Sequence, residues 1–152
     1  MRDPYIVAEE HRRRFVEALH SQIGRPYLWG GQSEEGFDCS GLIVWALNEA
    51  GLGISDMTAD GLADQFHSCR VLAPGKPGEL CFYGDDSGVN HVMAVLTTWG
   101  QGMPILVGAR GGIDTTDTLK EAYDRGAYVC TKTARYWESK RLLVVDPFMV
   151  RC

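Results

Sequence analysis

The segment Leu42-Ile43-Val44-Trp45-Ala46-Leu47 is apolar on every side of a helix, and this constrains the fold more than any other feature of the chain. A helix running from Ser40 to Ala50 and closed by Gly51 has no polar face to offer water, so other elements must cover it all round. With 152 residues, the chain has the length of one ordinary domain and can supply that cover. No repeat, low-complexity stretch or linker interrupts it, so a single domain over 1–152 is expected.

The covering elements can be read from both directions. Upstream, Asp3 can cap a helix whose first turn suits Pro4, and Phe15, Leu19 and Ile23 recur at helical spacing until Gly24. A loop from Trp29 to Phe37 leads into the buried helix. Beyond it, Leu52 to Arg70 reads as irregular, with a short helix around Gly61 to Phe66. After Pro74-Gly75-Lys76-Pro77-Gly78 the pattern turns to strands: 80–83, 91–98, 105–109, 127–134 and 142–145 are short and rich in β-formers. Helices first and antiparallel strands afterwards predict an α+β fold.

Charge and cysteine content remove several functions. A net charge of −5 argues against a nucleic-acid binder working through a basic face. The only basic cluster, His11-Arg12-Arg13-Arg14, reads as a solvated helix face. No stretch has the roughly 18 apolar residues needed to span a membrane, so membrane insertion is not expected. The polar start Met1-Arg2-Asp3-Pro4 lacks a signal-like apolar run, which predicts synthesis in the cytoplasm. The cysteines at 39, 69, 81, 130 and 152 form an odd set without a C-x-x-C pair. They read as mostly reduced thiols, with no metal site and no cofactor implied.

Cys39 stands out among them because it precedes the buried helix. A thiol there faces unpaired N–H groups and the positive end of the helix dipole, both of which favour thiolate. The same N–H groups suit an oxyanion, Asp38 can cap the helix, and Ser40-Gly41 lets the backbone come close. A buried structural cysteine is the competing reading. His91 opens a strand directly after the turn-like Gly88-Val89-Asn90, where an imidazole can reach a nucleophile on a neighbouring helix. His11 and His20 lie on the first helix and His67 in the irregular segment, so they compete poorly.

Larger motifs join these two residues. Gly24-Arg25-Pro26-Tyr27-Leu28-Trp29-Gly30-Gly31, then Gly36-Phe37-Asp38-Cys39-Ser40-Gly41-Leu42, closely resemble the signature of the NlpC-type cell-wall peptidases. Pro77-Gly78-Glu79-Leu80-Cys81-Phe82 resembles that family's P-G-D-L-x-F strand, and His91-Val92 its H-V-G strand. The resemblance spans about residues 10 to 112. It implies a papain-like fold and an endopeptidase cutting the γ-D-glutamyl–diamino acid bond of peptidoglycan stem peptides. By this carry-over Cys39 is the nucleophile and His91 the base, while Tyr27 and Ser40 serve the oxyanion. Asp38, Trp29 and Arg110 would contact substrate, Asp38 through a free amine of the stem peptide. Tyr27 and Trp29 also read as packed aromatics, and for Trp29 the core reading comes first.

One departure is clear. The family usually places a third polar residue on the strand after H-V, and here Gly108 stands at that position. An acceptor for the imidazole must then come from the Asp114–Thr115 turn, a main-chain carbonyl or water; Arg110 only donates and would oppose an imidazolium. A working hydrolase, an inactive binding or structural relative, and another thiol chemistry such as acyl transfer all remain compatible with this pattern. Val144-Val145-Asp146-Pro147-Phe148 resembles the ending of phage-encoded members. With the polar N-terminus, this points to a phage-tail setting with tail proteins as partners, against a stand-alone bacterial enzyme.

Overall fold

The computed structural model describes residues 1–99 and 102–150, and it is an α+β structure of three helices followed by a six-stranded antiparallel sheet. Helix α1 (Pro4–Ser21) starts where Asp3 accepts a hydrogen bond from the Tyr5 N–H at 2.8 Å. Phe15 and Leu19 are buried as expected, but Ile23 lies beyond the helix end and is exposed. A two-strand ribbon, β1 (Gln32–Ser33) and β2 (Gly36–Phe37), interrupts the loop before helix α2 (Cys39–Glu49). Helix α3 (Ala59–Phe66) follows, capped by Thr58, and leads into the short β3 (Arg70–Val71).

The sheet then forms from β4 (Leu80–Asp85), β5 (Gly88–Trp99), β6 (Met103–Arg110), β7 (Tyr128–Thr133) and β8 (Arg141–Val145). Its order is β3-β8-β4-β5-β6-β7, with β5 near the middle. Leu42, Ile43, Ala46 and Leu47 of α2 are fully buried in a core with Val92, Ala94 and Leu96 of β5. Alternation along each strand sends Cys81, Tyr83, Met93, Val95 and Leu106 to the opposite face, where they form a second, smaller cluster. Among the described residues no helix is long and apolar enough to cross a membrane.

Two expectations need correction. Helix α4 (Leu119–Arg125), between β6 and β7, was not foreseen, although Thr118 and Glu121 stand at capping-box spacing and Gly126 closes it at φ 63°. The basic cluster on α1 is not a uniformly solvated face. Arg12 is 6% exposed and forms a two-pronged ion pair with Asp146, at 3.0 and 2.9 Å, while also donating to the Pro77 carbonyl. Among the cysteines, Cys39, Cys81 and Cys130 are free thiols, whereas Cys69 is disulfide-bonded.

Removing one partner of a buried ion pair leaves the other charge without compensation, a cost of roughly 3–5 kcal/mol. Arg12→Ala is therefore expected to lower unfolding free energy in urea by about that amount. Arg13→Ala breaks only the exposed Arg13–Glu17 pair and should shift stability by less than about 0.5 kcal/mol.

Candidate active site

The approach to Cys39 is set by the carboxylate before it. Asp38 adopts an extended backbone at the N-cap of α2, and its Oδ1 accepts from the Gly41 N–H at 2.7 Å and the Ser40 hydroxyl at 3.3 Å. Its Oδ2 accepts from the Gly30 N–H at 3.1 Å, so one side chain ties the helix start to the Trp29–Gly31 turn. Gly41 permits this closeness: a Cβ there would lie 1.9 Å from the Gly31 carbonyl oxygen. Tyr27 enters through the same segment, bridged to Phe37 and buried to 5% exposure.

Cys39 faces β5, and the main-chain N–H groups of Val92, Ser40 and Cys39 itself favour the charged form of its sulfur. Cys39 comes from the helical side, whereas His91 belongs to the face carrying Tyr83 and Met93. Both line one cleft of about 400 Å³, together with Tyr27, Trp29, Arg110 and Trp137. Trp29 is 53% exposed, so it walls the cleft and is not a core residue. Ser40 is buried with its hydroxyl turned to Asp38; its contribution at the sulfur is the main-chain N–H. Asp114 is exposed and does not line the cleft. Among the described residues no cluster of three His, Cys, Asp or Glu could hold a metal.

Aromatic rings surround His91. Tyr83 pairs with it across β4 and β5 at a centroid distance of 5.7 Å, and Tyr136 and Trp137 approach at 6.0 and 5.4 Å. The last two stack on each other in the segment between β7 and β8, and Trp137 holds a left-handed backbone at φ 45°. Such a conformation costs a bulky residue about 1 kcal/mol or more and persists only where its surroundings fix it. Sequence reasoning missed both rings, because nothing periodic marks an aromatic pair in a connecting segment. It also missed Arg125, which reaches the cleft from the end of α4; the Thr118–Glu121 cap was the available signal.

Burial dominates the electrostatics. It pushes the Cys39 thiol up to about 11; the Asp38 carboxylate adds to that shift, and the three N–H groups pull against it. Burial pushes the His91 imidazole down to about 4, and the Arg110 guanidinium acts in the same direction. Both shifts favour the neutral thiol and the neutral imidazole. Desolvation thus works against the thiolate that the helix dipole and its N–H groups favour. Burial is also the main cause that raises Tyr27 and Asp38.

His91 Nε2 is buried without a hydrogen-bond partner, as are the Tyr83 hydroxyl and Arg110 Nε. Gly108 lies on the same sheet face, but Met93 fills the space beside it: a Cβ at 108 would stand 2.2 Å from the Met93 sulfur. The position expected to carry an orienting side chain is thus packed with thioether from the next strand.

The class this defines is a papain-like α+β fold with a cysteine at the N-terminus of a buried helix and a histidine within a strand, β5, of the antiparallel sheet. The pattern of the NlpC/P60 family matches residues 24–144, and the chain belongs to that family. A probable endopeptidase of Mycobacterium tuberculosis is 38% identical over 86 residues, covering 50% of this chain and 20% of that protein. The peptidoglycan endopeptidase RipB of Mycobacterium tuberculosis is 34% identical over 136 residues, or 80% of this chain and 53% of RipB. The chain thus spans from about a fifth to about half the length of these relatives. In structure, it is similar to the P60 domain of a Mycobacterium avium subspecies paratuberculosis antigen, with TM-score 0.65 at 23% identity over 93% of this chain and 98% of that one. Crystalline RipB gives 0.64 at 25% identity over 95% and 67%.

Two outcomes follow from the packing and the charge state. Gly108→Ala must displace Met93 within a filled cluster and should cost about 1–3 kcal/mol in chemical denaturation, while Met93→Ala combined with Gly108→Ala should recover part of that. Between pH 6.5 and about 4 the unfolded chain protonates His91 while the folded chain does not. Stability present above pH 6.5 is therefore lost as pH falls through this window. His91→Phe should flatten that slope in denaturant melts run from pH 7 to 4.

Proposed function

We propose that this chain is a cysteine endopeptidase that hydrolyses peptidoglycan stem peptides. The observation that carries the reading is the Cys39 thiol at the start of α2, in a cleft shared with His91. Family membership and the relatives named endopeptidases support the same class of reaction.

In the proposed reaction the neutral thiol passes its proton to His91 as the sulfur attacks the scissile carbonyl. Proton transfer then accompanies attack and does not precede it, in keeping with a high thiol pKa and a low imidazole pKa. The N–H groups of Cys39 and Ser40, with the Tyr27 hydroxyl, receive the charge that develops on the carbonyl oxygen. His91 returns the proton to the leaving amine, and water then cleaves the thioester to regenerate the thiol. Trp29 and Arg110 supply substrate contacts from the cleft wall. Asp38 already accepts three hydrogen bonds, so a stem-peptide amine would use the one acceptor site its carboxylate has left. The bond proposed is the γ-D-glutamyl–diamino acid linkage. The setting proposed from the ending 144–148 is a phage tail, with its proteins as partners and the cell wall as target.

A second reading has one observation in its favour. With nothing accepting from His91 Nε2, the imidazole lacks the orienting partner on which its tautomer and angle depend, which suits a weak or inactive cell-wall-binding relative. Asp114, proposed from the sequence as that partner, would have to reach it from an exposed turn.

Incubation of purified muropeptides with the protein, followed by mass spectrometry, separates the two. A peptidase yields products split within the stem peptide, and Cys39→Ala reduces their formation by at least about 1000-fold while retaining murein binding. Silence of the wild type across several muropeptide chemistries would instead establish the binding reading.

A further inference from the structure

The cleft carries a charge opposite to that of the chain. The whole sequence has a net charge of −5, yet the charged side chains lining the cleft are Arg110 and Arg125, with no aspartate or glutamate among them. Among the described residues neither arginine enters an ion pair; those pairs use Arg2, Arg12, Arg13, Lys76 and Lys120. Arg125 is nonetheless anchored. It ends α4, and its Nε donates to the Gly111 carbonyl at 2.9 Å, which holds the guanidinium at the cleft and leaves its terminal N–H groups unengaged by that bond. Arg110 lies over the Tyr136 ring at 5.6 Å, and its Nε is buried without an acceptor. Two guanidiniums lining one cleft without a carboxylate between its walls favour an anion there.

We infer that the cleft binds a carboxylate of its peptide substrate, and that Arg125 is the residue that recognises it. The planar fork of a guanidinium matches a carboxylate through two parallel hydrogen bonds, which a carboxamide cannot reproduce with the same charge. The identity of the peptide rests on the peptidase reading above: a glutamyl residue joined through its γ-carboxyl keeps its α-carboxylate free, close to the scissile carbonyl. That carboxylate is the group assigned to Arg125. Helix α4 thereby acts in specificity, since its length and its closure at Gly126 determine where Arg125 stands.

Calorimetric titration of the full-length Cys39→Ala protein tests this with two synthetic stem tripeptides, one with the glutamyl α-carboxyl free and one with it as the primary amide. The free acid is expected to bind at least about tenfold more tightly than the amide. Arg125→Gln in the same background should bring that ratio close to one, and Arg125→Lys should keep part of it; circular dichroism checks that each variant is folded. Equal affinity for the two peptides, binding of neither, or a ratio that survives Arg125→Gln would overturn the inference. Cleavage of muropeptides is scored separately with the wild type. Cleavage with equal affinities removes the role of Arg125 and leaves the peptidase reading intact. A carboxylate preference without cleavage does the reverse.

Discussion

The Asp38 carboxylate is the point on which the geometry of the cleft depends. Its two oxygens hold the N–H groups of Gly41 and Gly30 and the Ser40 hydroxyl, so the first turn of α2 and the Trp29–Gly31 turn cannot move separately. The Asp38 N–H completes the clasp by donating to the Gly31 carbonyl at 3.1 Å. Cys39, Tyr27 and Trp29 hang from these two turns, which places a thiol, a phenol and an indole along one cleft edge. An N-cap is ordinarily worth about 0.5–2 kcal/mol of stability. Here the same contact also sets where the sulfur stands relative to the sheet, so its loss would disturb the site more than the fold.

Burial is what that placement costs the chemistry. The thiol and the imidazole are both buried, so the charged form of either partner is poorly solvated. A neutral thiol and a neutral imidazole can still react by concerted transfer, and both charges then appear only as the bond forms. In the proposed reaction the preorganised N–H groups matter most at that moment, because they need no reorientation to meet the developing oxyanion.

The face behind His91 shows a different compensation. Gly108 and Met93 are neighbours across β5 and β6, and the methionine fills the volume that a side chain at 108 would occupy. Methionine adapts well to such a gap, so the sheet stays close-packed without a polar residue there. The imidazole is then held by the packing of Tyr83, Tyr136 and Trp137, and its Nε2 stays without an acceptor. Steric confinement can fix a ring plane, but unlike a hydrogen bond it does not select a tautomer.

Much of this was legible in the sequence where the determinant is local or periodic. The unbroken apolar face of Leu42–Leu47 required a covered helix, Asp38 and Gly41 marked its start, and alternation and turn residues marked the five longer strands. These features follow from backbone geometry and side-chain direction over a few residues, and they placed Cys39 at the start of its helix; His91, expected to open a strand, is instead the fourth residue of β5, which begins at Gly88. The tertiary structure alone decided what surrounds them. Arg12 is buried because Asp146, 134 residues away, meets it, and no helical-face argument contains that partner. Trp29 is exposed because its turn lies at a cleft edge. The rings of Tyr136 and Trp137 and the guanidinium of Arg125 arrive from positions 45, 46 and 34 residues beyond His91, through sheet register and an unforeseen helix. Charge state, orientation and exposure sum over all neighbours in space, so they became determinate only once the strands had paired.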